Sequence, residues 1–357
     1  MPRLTEEKSS CAFLSCVQLL IQLLELARAL SPKKGNNMRS RFYLALSALA
    51  LTCLAGMMAQ AGQTSRTKSS PAVVDVYDAQ TRHWLATFTK GAATVVLAGP
   101  TRTFSESTAA NAVTHSFWVR TLPSPFTGTV DQAWLNAALA ANEAGVPDIF
   151  GIAMQYLEGA APILDGSLQI AGDASYGPLL ADGTRQEGSD FNDYLGVSWA
   201  YANGQVDAPE TAQFGCLDCS GFMRMVWGFR HSFDGAGYAD TIPLCLSPLA
   251  DKSALPRRAL EICASGPGVL VIANTGLQVV NFAPLRPGDL VFFDASTDDG
   301  TQIDHVGMYL GVDAAGKHRF ISSRKSIDGP TLGDYRGASI LDGTGLYARG
   351  FRAVRRL

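Results

Sequence analysis

The chain has 357 residues, of which 47% are hydrophobic and 17% charged, a mixture able to bury one large core or two ordinary ones. Its formal charge is -3. Seven of the 29 Lys/Arg but only three of the 32 Asp/Glu precede residue 62, and no concentrated basic stretch follows, so nucleic acid and anionic lipid are excluded as expected partners.

The first segment reads as an address. Arg39 and Arg41 precede an apolar run from Phe42 to Met58 that closes on Ala59-Gln60-Ala61, the small-x-small pattern of a signal-peptidase site, so residues 38–61 are expected to be a cleaved signal peptide with Met38 as a possible start. A retained membrane anchor is the alternative, because a run of roughly 17 apolar residues lies at the lower edge of what spans a bilayer. Lipidation at Cys53 fits less well behind Thr52. Residues 1–37, with a second apolar segment from Phe13 to Leu30, read as an over-long start.

From Ala72 to about Leu122, short runs such as Val73–Tyr77, Thr94–Leu97 and Ser116–Val119 between turn residues predict a small β-rich unit. Helical spacing follows over Val130–Ala144, with Trp134, Leu135, Ala138 and Leu139 on one side, and over Asp148–Leu157. Together these predict an accessory region over residues 70–164. Leu164 to Ser189 is rich in Gly, Asp and Ser and reads as a loop containing a domain boundary. Beyond it, a short helix over Phe191–Val197, a stronger one over Ser220–Phe229 and strands from Asp289 onward predict an α+β domain over residues 189–357.

Chemistry concentrates in this second region. Asp218-Cys219-Ser220-Gly221-Phe222 opens the stronger helix, and Phe222, Met225, Val226 and Phe229 recur at i, i+3, i+4 and i+7, so one face is expected to be buried with Cys219 at the amino-terminal end. Unpaired N–H groups there favour thiolate, the nucleophilic form. A cysteine nucleophile needs a base. Of the five histidines, His83, His115 and His231 read as surface or packing residues, while His305 begins the strand-like His305-Val306-Gly307-Met308-Tyr309-Leu310-Gly311 after the turn and strand Arg286-Pro287-Gly288-Asp289-Leu290-Val291-Phe292-Phe293.

Asp-Cys-Ser-Gly-Phe, then Leu255-Pro256-Arg257, then Pro-Gly-Asp-Leu-Val-Phe-Phe, then His-Val-Gly-Met-Tyr-Leu-Gly resemble, in that order, the NlpC-type cell-wall cysteine peptidases, a papain-like family, over about residues 189–357. The resemblance implies a Cys-bearing helix packed on an antiparallel sheet bearing the His, with Cys219 as nucleophile, His305 as base and no cofactor or metal. It implies peptidoglycan or its peptide fragments as partner, in the periplasm or cell wall, with no stable membrane association after signal cleavage. It also implies a polar residue that orients the base; that position falls on Ser322 after Phe320-Ile321, where the family carries His, Asn or Gln, and His318 is its rival. A family tyrosine near the thiolate is replaced here by Trp199, with Tyr201 two positions on.

Two readings stand beside this one. The departures at Ser322 and Trp199 are compatible with a weak or inactive wall-binding protein. Cys216-Leu217-Asp218-Cys219 is also a C-x-x-C that would suit a thiol redox protein, although neither the βαβ context of a redox motif nor a second ligand pair for zinc is visible. Cys245 and Cys263 are the plausible disulfide pair in an exported chain.

Overall fold

A computed structural model describes residues 68–70, 73–230, 242–296 and 300–357. The expected signal segment, the upstream apolar segment, Cys11, Cys16, Cys53 and His231 lie outside the described residues. Residues from Ser65 to Leu357 form one compact unit, and among the described residues no helix is long and apolar enough to cross a membrane.

The unit is α+β. A five-stranded antiparallel meander comes first, with β1 (Lys68–Ser70), β2 (Val73–Tyr77), β3 (Trp84–Thr89), β4 (Thr94–Phe104) and β5 (Val113–Thr121) in sequential order. Helix α1 (Gln132–Glu143) starts where the Asp131 side chain accepts from the Ala133 and Trp134 N–H groups, and it buries Leu135 and Ala138. Helix α2 (Ile149–Ala153) is capped in the same way by Asp148, whose carboxylate also pairs with Arg102. The segment expected to be a loop holds a short hairpin, β6 (Ile163–Asp165) and β7 (Leu168–Ala171). Its two-residue Gly166-Ser167 turn between apolar runs is a hairpin signal that the loop reading passed over.

Helix α3 (Phe191–Leu195) precedes a two-stranded ribbon of β8 (Trp199–Ala200) and β9 (Val206–Asp207). Helix α4 (Cys219–Arg224) runs on into a π-helical turn over Met225–Phe229, so the expected single amphipathic helix changes its winding midway. Every residue from Cys219 to Phe229 is buried, not one face alone. Helix α5 (Ala259–Ser265) follows in the chain and contributes Ala259, Ile262 and Cys263 to the same apolar cluster as α4.

The main sheet is antiparallel with strand order β10-β15-β11-β12-β13-β14, comprising β10 (Val269–Ile272), β11 (Leu290–Phe293), β12 (His305–Val312), β13 (His318–Arg324), β14 (Gly329–Thr331) and β15 (Phe351–Arg356), the last preceded by helix α6 (Leu346–Gly350). Alternation sorts each strand between two apolar clusters. Leu290, Phe292, Val306, Met308 and Ile321 pack with Phe222 and Met223 of α4, while Val291, Phe293, Tyr309 and Phe320 pack with Tyr347 and Phe351 on the other face. Burial on both faces explains why Leu-Val-Phe-Phe is a continuous apolar run. The cluster around α4 also takes in Val96, Phe104, Val113 and Val119 from the meander, so the β-rich region shares a core with the sheet.

Cys216, Cys219, Cys245 and Cys263 are all free thiols, which corrects the expected Cys245–Cys263 disulfide. The Cys245 carbonyl accepts from Arg224, and the Cys263 carbonyl at the end of α5 accepts from Arg355.

Candidate active site

The segment around Cys219 is held by polar contacts as much as by packing. Asp218 caps α4 by accepting from the Gly221 N–H at 2.8 Å and accepts from the Gly188 N–H at 3.1 Å. Arg257, from the Leu-Pro-Arg block, clamps it through Nη2 at 2.7 Å and donates through Nη1 to Ser220 Oγ at 2.7 Å. Gly221 is required for space, because a Cβ there would stand 2.2 Å from the Ser189 carbonyl oxygen. Asp190 beside it pairs with the buried Arg224 at 2.9 Å. The motif thus builds a rigid pedestal under the thiol.

The sheet side is equally specified. Asp289, from Pro-Gly-Asp, is buried and bonded to Arg356 Nε at 2.7 Å. Gly307 follows His305 by two residues, and a Cβ at that position would lie 2.7 Å from the Ile321 carbonyl oxygen and 3.1 Å from Ser322 Cβ. β12 can therefore lie tight against β13 only with glycine there.

α4 packs against β12 and β13, and the Cys219 thiol donates to the Asp304 carbonyl oxygen at 3.9 Å. The Val306 backbone amide acts on the same sulfur, so the thiol rests on the backbone on both sides of His305. The imidazole itself lies against Phe293 and Tyr347, with ring centroids 5.7 and 5.2 Å away. Its Nε2 is buried without a hydrogen-bond partner among the described residues, and no hydrogen bond joins it to Cys219. Burial pushes the Cys219 thiol up to about 12, with the adjacent Asp218 carboxylate adding to the rise and the Val306 amide opposing it. Burial pulls His305 down to about 3, assisted by the Arg324 guanidinium. Burial thus opposes the charged form of each group, working against the preference for thiolate at the helix terminus.

Ser322 shares a strand face with Phe320, the register partner of Tyr309, and therefore with His305. It is fully buried, and its Oγ accepts from Arg324 Nε at 3.4 Å. Ser323 points the other way and donates to the Leu217 carbonyl oxygen at 2.5 Å. His318 pairs with Val312 at the far end of β12, and its Nδ1 is bonded to the Tyr309 hydroxyl at 2.7 Å, so it is remote from His305.

Trp199 packs on Phe191 and Phe229, and the Tyr201 hydroxyl accepts from Arg224 at 3.0 Å, so neither occupies the place of a tyrosine beside the thiol. Two other tyrosines do come near it. Tyr176, in the expected loop, and Tyr347, in α6, both have their hydroxyl pKa raised, first by burial and then through charges that include Cys219. Tyr176 could not be read from a turn-rich segment, and Tyr347 lies beyond every motif.

Cys216 donates to the Phe214 carbonyl oxygen at 3.8 Å, away from the Cys219 contact with Asp304. Burial raises its thiol to about 11, opposite to the depressed thiol that suits a redox dithiol. Among the described residues no cluster of His, Cys, Asp and Glu could hold a metal ion.

Comparison with known proteins finds a family match over part of the chain. Residues 199–337 match the NlpC/P60 family, so the chain carries an NlpC-type domain. A solved structure from Staphylococcus aureus subsp. aureus Mu50, described as similar to lipoprotein, NLP/P60 family, is 22% identical and covers 46% of this chain and 38% of its own, with a TM-score of 0.22. The match thus spans well under half of that protein. No curated protein matches the chain.

Proposed function

We propose that this chain, through the NlpC-type domain matched at residues 199–337, is an exported cysteine hydrolase that opens amide bonds in peptidoglycan stem peptides. The observation that carries the reading is the buried His305 Nε2 without a partner, on a strand whose backbone cradles the Cys219 thiol. An unsatisfied buried imidazole nitrogen is costly and is retained where a substrate or a proton will complete it.

In the proposed reaction His305 takes the Cys219 proton as the sulfur attacks the amide carbonyl, giving a tetrahedral intermediate. The imidazolium then protonates the leaving amine and a thioester remains. Water, deprotonated by His305, displaces the thiolate, which recovers its proton. Burial opposes the charged form of both groups, which favours proton transfer to His305 in concert with attack. Ser322, on the same strand face, is the residue proposed to orient His305.

Export rests on Arg39, Arg41 and the apolar run ending in Ala59-Gln60-Ala61. The second reading is a wall-binding protein of weak or no activity, favoured by one observation: the Ser322 hydroxyl is engaged by Arg324. Incubating purified residues 62–357 with peptidoglycan and identifying released fragments by mass spectrometry separates the two. Fragments ending at a stem-peptide bond support the hydrolase; pelleting with the wall but releasing nothing supports the binder.

A further inference from the structure

Arg324 closes β13 where His305 opens β12, and the two stand opposite each other. Met308 pairs with Ile321, and carried three residues further the same antiparallel register sets His305 against Arg324. Gly307, whose added Cβ would meet Ser322 Cβ at 3.1 Å, holds that register between them. Both side chains fall on one face of the sheet, where directly opposed residues are near neighbours. They also share a ring: the Tyr347 centroid lies 5.2 Å from that of the imidazole and 4.7 Å from the guanidinium carbon.

The guanidinium is a buried cation bonded to neutral oxygens. It donates to Ser322 Oγ at 3.4 Å, to the Gly333 carbonyl oxygen at 3.3 Å, to the Gly337 carbonyl oxygen and to Ser339 Oγ. Among the described residues none of its hydrogen bonds or ion pairs reaches a carboxylate. Glu106 and Asp334 act on it at longer range, but Glu106 is engaged by Thr331 and the Leu332 N–H, and Asp334 by Arg319. Arg324 is 1% exposed with all three nitrogens bonded, so it acts on a substrate only through its neighbours.

The other charges around His305 are answered. Asp218, ahead of α4, is clamped by Arg257. The Asp304 carboxylate accepts from the Ala295 and Ser296 N–H groups, and Asp294, next to Phe293 on β11, pairs with Arg352. Burial raises the Cys219 thiol and the Tyr347 hydroxyl, which opposes negative charge on either. Burial is the larger cause of the low His305 pKa and Arg324 the next, with Asp218 opposing.

A cation facing an imidazole penalises imidazolium. It weakens the base that takes the Cys219 proton and strengthens the acid that hands it on. We propose that Arg324, which lies outside the motifs of Cys219 and His305, is a positioning residue acting through His305: it keeps the imidazole uncharged between transfers and favours delivery of the proton to the departing amine. The proposal rests on His305 as the base of the proposed reaction.

The test labels the full chain with 15N-histidine and reads the ratio of protonated to neutral His305 by NMR at pH 5, with His305→Gln for assignment. In Arg324→Met that ratio should rise about tenfold, which is one pH unit in the titration. Ser339→Asp keeps the arginine and gives it a bonded carboxylate, so it should raise the ratio in the same direction. A role confined to packing would leave it unmoved. The acid limb of kcat/KM on peptidoglycan should shift to higher pH in both variants. An unchanged ratio in either folded variant would overturn the proposal, as would a wild-type ring more than half protonated at pH 6.5, a reading that needs no variant to fold. Ratios that move as expected in a chain that releases no fragments would sustain the control of His305 by Arg324 and overturn only the hydrolase reading.

Discussion

Arg257 holds Asp218 at 2.7 Å, so the carboxylate that immediately precedes the candidate nucleophile is neutralised by a residue 39 positions away in the chain. The Leu-Pro-Arg block therefore supports the thiol without touching it. Arg257→Met should leave Asp218 with an uncompensated charge, costing about 3–5 kcal/mol of stability. It should also raise the Cys219 thiol pKa further, since Asp218 already pushes it upward. Thermal melts and the pH dependence of iodoacetamide labelling at Cys219 measure the two effects, and a melt unchanged from wild type would refute the first.

Cys219→Ala should abolish amide hydrolysis and leave the fold intact, because it removes only the sulfur from the end of α4. Cys216→Ser should retain most activity. Equal losses in the two variants would revive the dithiol.

Ser322 and Ser323 are neighbours with opposite surroundings, which makes them a matched pair. Ser322→Ala should lower kcat by roughly tenfold to a hundredfold through loss of His305 orientation. Ser323→Ala should instead cost about 1 kcal/mol of stability, from its bond to Leu217, and change kcat little. The reverse pattern would move the orienting role to the other strand face.

The titration of His305 gives a stability prediction with a defined sign. Its folded pKa of about 3 lies below the ordinary imidazole value, so between the two the unfolded chain binds a proton that the folded one refuses. Stability from this group is complete above about pH 6.5 and is lost as pH falls towards 3. His305→Gln should therefore show a smaller drop in Tm between pH 7 and pH 4.5 than wild type does. An equal drop would mean that the imidazole is not buried in its neutral form.

Where the chain repeats a short period, the structure follows the reading closely: Val73–Tyr77 is a strand with the expected bounds, and the two apolar faces of Leu-Val-Phe-Phe follow from alternation. The candidate nucleophile and base were legible because their motifs also carry structural duties, such as the Asp218 cap and the close approach at Gly307. Tertiary contacts that no local pattern encodes were not legible. The π turn after Arg224 depends on packing around a wholly buried segment. Tyr347 reaches the imidazole only because α6 folds back over the sheet.

The position of β15 bears on how the molecule comes into being. This strand, over residues 351–356, lies between β10 and β11 and supplies Arg356 to Asp289 and Thr89. A growing chain that has emerged only as far as β14 still has an interior seam of unpaired backbone in its central sheet and an unanswered buried carboxylate. Closure of that sheet therefore waits for residues 351–356, well after β11 to β14 have been made.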